Sequence, residues 1–299
     1  MTRVAGSPAS VPLQGSTVVV TGGNTGVGFE TVAGLVDRGA RVVLTARNPT
    51  KGANAAERIQ ARGGAGTVEV APLDLASFAS IRRFVRDVAP RLGSLQVLVN
   101  NAGLVQLDYG VTEDGFETTF GVNHLGHFLL TTLLLDQLQA SAPARVVVVS
   151  SMAHRSARGG LDFGDLQSER GYSPIGAYNR SKLANIYFTR ELARRLDGTG
   201  VTANALHPGF VASRLGRDGD GGLLGEIAMT LGRPFAVSAA RGARTSIYLA
   251  SSPDVADVTG KYCGRCRAKR PSSVATDDDA ARRLWSVSEE LVASVPEPG

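Results

Sequence analysis

Short β-branched runs alternate with longer amphipathic segments along most of the chain. The runs TVVVT (17–21), RVVLTA (41–46), TVEVAPL (67–73), LQVLVN (95–100), RVVVVSS (145–151) and VTANALHP (201–208) predict strands, and VTGKY (258–262) a weaker seventh. Most are apolar continuously rather than alternately. That is the pattern of strands buried on both faces of a parallel sheet. Periodic stretches near 27–38, 50–62, 77–90, 112–140, 174–196 and 238–251 predict helices, and a last one covers 276–293. Strand–helix alternation of this kind predicts an α/β fold with a doubly wound parallel sheet. No Pro/Ser-rich linker divides the chain, so a single domain is expected over residues 15–299, after a flexible N-terminal tail at 1–14.

Two stretches break the rhythm: 152–173, polar and glycine-bearing, and 214–237, a Gly/Asp hinge followed by an apolar run. Long irregular connections in a compact α/β domain usually carry function. Both follow the carboxyl ends of strands, where such folds bind ligands. In the second, Leu224, Ile227, Ala228 and Leu231 recur at helical spacing, with Met229 and Phe235 close by. The segment reads either as a lid over an apolar substrate or as a helix packed on the core.

Composition narrows the function. Hydrophobic residues make up 43% of the 299 positions, enough for a full core. The net charge of +5 is spread among interleaved acids, with no basic stripe and no recognition motif. No nucleic-acid partner is expected, though a mild excess of cations can steer an anionic cofactor. Cys263 and Cys266 form a lone CxxC without the second pair of a structural zinc site. His124 and His127 stand three apart with no paired carboxylate, so packing or polar contacts are expected of them and no metal. No apolar run reaches the roughly 18 residues of a membrane span, and the N-terminal stretch lacks the apolar core of a signal peptide. The expected setting is cytoplasmic, without a membrane partner.

The first strand leads into TGGNTGVG, in which Gly22, Gly26 and Gly28 are spaced GxxxGxG. Glycines let the backbone approach a pyrophosphate, and the helix that follows offers unpaired N–H groups and a positive dipole end. By itself the loop fits a plain turn equally well; its place after the first strand favours a dinucleotide and a sheet of Rossmann type. An NAD site usually has an acid about 20 residues on, for the adenosine ribose. Here the second strand ends Thr45-Ala46-Arg47-Asn48, with no acid. Arg47 is placed either to meet a 2′-phosphate, which selects NADP(H), or to cap a sheet edge.

Chemistry enters with YNRSK (178–182). Tyr178 and Lys182, four apart in a predicted helix, share one face. A free phenol has a pKa of about 10 and exchanges protons sluggishly at neutral pH. A neighbouring ammonium favours the phenolate, so Lys182 is expected to lower the Tyr178 pKa toward the working range of a general acid/base. Ser150 and Ser151 end an apolar strand at the carboxyl edge of the sheet.

Four ordered motifs, TGGNTGVG, NNAG (100–103), YNRSK and HPG (207–209), resemble those of the short-chain dehydrogenase/reductase family, and the likeness runs from about 15 to 295. Within that family, GVNHLGHFLLT, VSSMAH, SKLANIYFTRELARRL and RRLWSVSEEL resemble the retinol-dehydrogenase-like branch. The resemblance implies an NADP(H)-dependent oxidoreductase that moves a hydride between the nicotinamide and a carbonyl or alcohol carbon. A hydrophobic ketone or aldehyde is the implied substrate, and reduction the implied direction, because NADP(H) is kept reduced in cells. It assigns Ser151 to the substrate oxygen, Tyr178 to the proton, Lys182 to Tyr178 and the nicotinamide ribose, and Asn123 to a proton relay. For the cofactor it implies Gly22, Asn24, Thr25, Gly26, Val27 and Gly28 at the pyrophosphate turn, with Arg47, Asp74 and Leu75 at the adenosine. Asn101, Ala102 and Gly103 would line the floor, and Pro208, Gly209, Val211 and Ser213 the nicotinamide wall. A homodimer is compatible with the family. The competing reading is a catalytically silent NADP(H)-sensing protein of the same fold.

Overall fold

The computed structural model describes residues 13–210 and 237–296. Val211, Ser213 and the apolar run from Leu224 to Phe235 lie outside the described residues. Eight strands form one sheet in the order β3-β2-β1-β4-β5-β6-β7-β8. They are β1 (Thr17–Thr21), β2 (Arg41–Ala46), β3 (Thr67–Pro72), β4 (Val97–Asn100), β5 (Ala144–Val149), β6 (Val201–Leu206), β7 (Tyr262–Cys263) and β8 (Ala268–Lys269). All pairings are parallel except β7 with β8.

The uninterrupted apolar runs are explained by cover on both faces. Alternate residues of a strand point to opposite sides. Val18 and Val20 of β1 join one core cluster and Val19 the other. In β5, Val146 and Val148 face one side and Val147 and Val149 the other. Helices α1 (Gly26–Val36) and α2 (Pro49–Gln60) lie on one face, and α3 (Phe78–Asp87) and the short α4 (Ala89–Leu92) on the other. The chain continues through α5 (Thr118–Phe120), α6 (Gly126–Leu133), α7 (Leu135–Ala140), α8 (Pro174–Arg195), α9 (Ala239–Ser251) and α10 (Asp278–Ala293). Of these, α9 joins α1 and α2, whereas α6, α8 and α10 join α3. The strand order reverses between β1 and β4. That crevice is the topological switch point where such sheets bind ligands.

The expected helix 112–140 is broken. Thr112 N–H donates to the Phe116 carbonyl at 2.7 Å and Gly115 takes a positive φ of 85°, which closes a turn instead. The Glu117 carboxylate then accepts from the Thr119 and Phe120 amides at 2.7 and 2.8 Å, so the helix starts only at Thr118. It passes through a π-helical turn, Gly121–Leu125, before α6. Single π turns inside α-helices concentrate at functional sites, and this one carries Asn123.

Two further expectations shift. Of the tail expected at 1–14, Leu13 is buried and donates its N–H to the Arg38 carbonyl at 2.7 Å, so the packed chain has begun by residue 13. The weak strand 258–262 is centred later, at Tyr262–Cys263, and turns back into β8. The CxxC spans that turn, with Arg265 and Cys266 both at positive φ.

Candidate active site

Every described residue expected at the site lies at or just beyond the carboxyl end of a strand, or on α8 and the π turn beside it. At the end of β1 the Thr21 hydroxyl accepts from the Asn101 and Ala102 amides at 2.8 and 3.0 Å. The Asn101 side chain donates back to the Thr21 and Gly22 carbonyls at 2.8 and 3.2 Å. The glycine turn and the NNAG loop are thereby fastened together across the switch point. Gly22 has φ 63°, and a Cβ there would stand 3.0 Å from Ala102. A Cβ on Gly28 would run into the Gly22 carbonyl and the Asn101 amide.

The mouth of α1 suits an anion. Thr25 caps the helix without a side-chain hydrogen bond, and no acid stands in the first turn. Its leading N–H groups and dipole therefore face outward unopposed. Asn24, Gly26 and Val27 are half-buried around that mouth, and Thr25 is exposed. Arg47 is exposed at the end of β2, while the neighbouring Asn48 caps α2 by accepting from the Lys51 amide at 3.0 Å. Asp74 follows β3, its carboxylate accepting from the Ala76 amide at 2.9 Å. The Leu75 side chain is buried in the core, so only its backbone can face a ligand. Pro208 and the positive-φ Gly209 follow β6. These residues fit a dinucleotide laid across the strand ends, with its pyrophosphate at α1.

At the other end of the crevice α8 is held in register by its cap. Ser173 accepts from the Gly176 amide and Pro174 occupies the first turn, which places Tyr178 in the second turn and Lys182 in the third. The Ser150 hydroxyl donates to the Lys182 carbonyl at 2.7 Å, binding α8 to β5. Ser150 is thus occupied. Ser151, half-buried, lies beside the Tyr178 phenol and lowers its pKa against the burial that raises it. Asn123 closes the group: its Oδ1 accepts from the Leu104 amide at 2.8 Å, and its Nδ2 donates to the Leu104 carbonyl and Ser181 Oγ at 2.9 and 3.0 Å. A Cβ on Gly103 would stand 3.1 Å from Lys182 Nζ and 3.2 Å from Asn123 Oδ1, so the floor is cut away against both.

In the folded chain the Tyr178 pKa is shifted upward, opposite to the direction expected from Lys182 alone. Burial holds the Tyr178 phenol above its ordinary value, and Lys182 does not bring it down. The ammonium stands 5.6 Å from the ring centroid and donates instead to the Val149 carbonyl at 3.2 Å. Lys182 is itself buried, no carboxylate among the described residues pairs with it, and desolvation lowers its pKa to about 8. Loss of water outweighs the attraction of one cation at that distance.

Sequence reasoning overlooked Thr21 and Ser181, placed Ser150 at the sheet edge without a role, and gave His127 only generic packing or polar contacts. His127 is buried, its Nε2 2.9 Å from Thr21 Oγ1 and its Nδ1 3.2 Å from the Asn123 carbonyl. A carbonyl only accepts, so Nδ1 carries the proton and Nε2 takes the Thr21 hydroxyl. Burial drives the His127 pKa down to about 3, which keeps it neutral. It links the glycine turn to the π turn. His124 meets Ser288 Oγ at 2.9 Å and packs among Phe120, Phe128 and Phe188.

A dinucleotide crevice that ends at a buried lysine, a phenol and a serine is the architecture of an NAD(P)-dependent oxidoreductase. The sequence profile of short chain dehydrogenases matches residues 16–163. Human retinol dehydrogenase 14 is 46% identical over 294 residues, covering 94% of this chain and 87% of the relative. Human retinol dehydrogenase 12 is 48% identical over 283 residues, covering 95% and 88%. Among solved structures, an uncharacterised protein from Mycobacterium paratuberculosis superposes with TM-score 0.76 at 38% identity over 97% of both chains. The NADP active-site complex of RhlG from Pseudomonas aeruginosa gives TM-score 0.64 at 30% identity, covering 84% of this chain and 94% of that one. The chain belongs to the short-chain dehydrogenase family, in its retinol-dehydrogenase-like branch. Among the described residues no helix is long and apolar enough to cross a membrane.

The crowding at Gly28 gives a first prediction. Gly28→Ala forces the Gly22 carbonyl or the Asn101 side chain to move, and backbone cannot yield cheaply. The variant is expected to lose about 1–3 kcal/mol in urea unfolding. It should also weaken dinucleotide binding, measured by nucleotide fluorescence, by about tenfold or more through the displaced pyrophosphate turn.

Proposed function

We propose that this protein is an NADP(H)-dependent carbonyl reductase acting on a hydrophobic ketone or aldehyde in the cytoplasm. The observation that carries the reading is the convergence of Ser151, Tyr178 and a buried Lys182, with no paired carboxylate among the described residues, at one end of the crevice. NADPH, when bound, supplies the hydride. The Ser151 hydroxyl donates to the substrate oxygen and stabilises the charge that develops there. Tyr178 gives its proton to the same oxygen as general acid. Lys182 holds the nicotinamide ribose, and its cation, with the positive charge of the oxidised ring, favours the phenolate left behind. Asn123, fixed by Leu104 and Ser181, supports the path by which that proton is replaced.

The end of β2 supports NADP(H), since it presents Arg47 and no acid. Three exposed apolar side chains support a hydrophobic substrate. Met152 follows Ser151, Ile175 stands one turn before Tyr178, and Phe210 follows Gly209, with exposures of 46%, 72% and 49%. The names of the retinol dehydrogenases, whose substrate is apolar, agree with that. A homodimer remains part of the proposal.

The test is single-turnover oxidation of enzyme-bound NADPH, followed at 340 nm absorbance, against a panel of short and long aliphatic and aromatic carbonyls. We expect oxidation with the larger apolar members and kcat/KM rising with apolar size. Tight NADPH binding with no oxidation by any member of the panel would identify a sensing protein instead.

A further inference from the structure

We propose that His154 is a positioning residue that holds Ser151 to the edge of the sheet, a role that rests on the function proposed above for Ser151. His154 is fully buried in the 3-10 turn Met152–Ser156, three residues beyond that serine. Its Nδ1 lies 2.6 Å from the Ser151 carbonyl, and its Nε2 is 3.1 Å from the Ser272 amide nitrogen. The first partner only accepts and the second only donates. Both therefore require one species: neutral imidazole with the proton on Nδ1. Burial, which lowers the His154 pKa, favours the same species.

The two bonds join parts of the chain 118 residues apart. The ring also packs edge-on against Tyr262 at 4.9 Å, and Tyr262 stacks on His207 at 5.5 Å. His207 in turn precedes the Pro208-Gly209 wall and accepts at Nδ1 from the Gly209 amide at 3.2 Å. His154 thus connects the end of β5, the end of β6 and the segment after β8.

The consequence for Ser151 is geometric. Its hydroxyl caps the 3-10 turn by accepting from the Ala153 amide at 3.1 Å, which leaves the O–H to point elsewhere. Its backbone is extended, at φ −152° and ψ 160°. The Ser151 carbonyl is held at 2.6 Å by the His154 ring and at 3.4 Å by the His154 amide, which restrains ψ, and the Ala153 amide restrains the hydroxyl, so together they favour one direction for the Ser151 side chain. A serine that must meet a substrate oxygen beside Tyr178 gains from that restraint, because small misplacements of a reacting group cost large factors in rate.

Two substitutions separate positioning from packing. His154→Asn keeps an N–H near Nδ1, for the Ser151 carbonyl, and loses the acceptor for Ser272. His154→Gln keeps an acceptor near Nε2 and loses the Ser151 bond. The proposal expects the orders of activity and stability to cross. His154→Gln should unfold at the higher temperature yet lose about ten- to a hundredfold in kcat, with the NADPH Kd unchanged. His154→Asn should unfold earlier and keep kcat within about threefold. If activity simply follows stability, or if His154→Gln keeps full kcat, the proposal fails. The Ser151→Ala background distinguishes the two layers. Full turnover in Ser151→Ala alone overturns the role given to the serine. A loss in Ser151→Ala, with a further equal loss on adding His154→Gln, overturns only the coupling through Ser151. Should either histidine variant not fold, imidazole 15N shifts of the wild-type protein decide. The proposal requires the Nδ1–H tautomer, and an Nε2–H or doubly protonated ring ends it.

Discussion

Tyr178→Phe is expected to fold as the wild type does, to bind NADPH with nearly the same Kd, and to lose about three orders of magnitude or more in kcat. The substitution removes one oxygen and leaves the half-buried ring in place. Among the described residues no helix cap or core cluster depends on that hydroxyl. What would disappear is the proposed general acid, a group that contributes typically 10²–10⁴-fold. A donor to the developing oxyanion, about 10²–10³-fold, goes with it. The two effects overlap on one group, so their product is an upper bound. Lys182→Ala provides the contrast. It removes the bond to Val149 and the cation expected at the ribose, so NADPH affinity and kcat should fall together. Circular dichroism, nucleotide fluorescence titration and steady-state rates on one preparation of each variant make the comparison. Near-normal turnover in Tyr178→Phe would remove Tyr178 from the mechanism.

The parts of the fold that were legible are those in which one short segment carries its own signal. Strands β1, β2 and β5 carry unbroken apolar runs of three to four residues because both faces are covered, and such runs admit few readings. The Tyr178–Lys182 spacing was readable because a single helix fixes it. The break in 112–140 was not, because the apolar period runs on through it. What stops the helix is the Thr112–Phe116 turn and the Glu117 cap, and what distorts it is one inserted π turn. An inserted residue shifts the register of a helix without altering the composition that a pattern reads.

The supporting residues were hidden for a different reason. Thr21 reaches Asn101 and His127, and His154 reaches Ser272, across 80 to 118 residues of chain. Those pairs exist only once the strands are ordered. The rise that burial imposes on the Tyr178 pKa was hidden on the same ground. The sequence shows a cation one helical turn away, and burial, which decides the direction, is a property of the folded crevice.

Arg47→Asp is expected to reverse the choice between the two dinucleotides. The end of β2 runs beside the end of β1, with Thr21 paired to Thr45, so a residue two positions beyond Thr45 borders the adenosine end of the crevice. Asn48 caps α2, and the exposed Arg47 beside it carries the guanidinium suited to a 2′-phosphate. A guanidinium can take a phosphate bidentately, and hydrogen bonds to charged groups contribute roughly 1.5–3 kcal/mol each. Arg47 is exposed, so solvent and salt discount that figure, and about ten- to a hundredfold preference for NADPH is expected of the wild type. Aspartate acts on both cofactors at once. It repels the 2′-phosphate, and it offers the ribose hydroxyls of NADH an acceptor of the kind that NAD sites carry. The quantity to follow is the ratio of kcat/KM for NADPH to that for NADH at fixed ionic strength, first in wild type and then in the variant. That ratio should fall below one in Arg47→Asp while the carbonyl KM stays put, because the substituted edge and the reacting end lie at opposite ends of the crevice. A wild type that already prefers NADH would overturn the NADP(H) assignment itself. A ratio unmoved by the substitution would shift the reading of the phosphate to the exposed Thr25 at the mouth of α1, where Thr25→Arg and Thr25→Asp would be the next pair to compare.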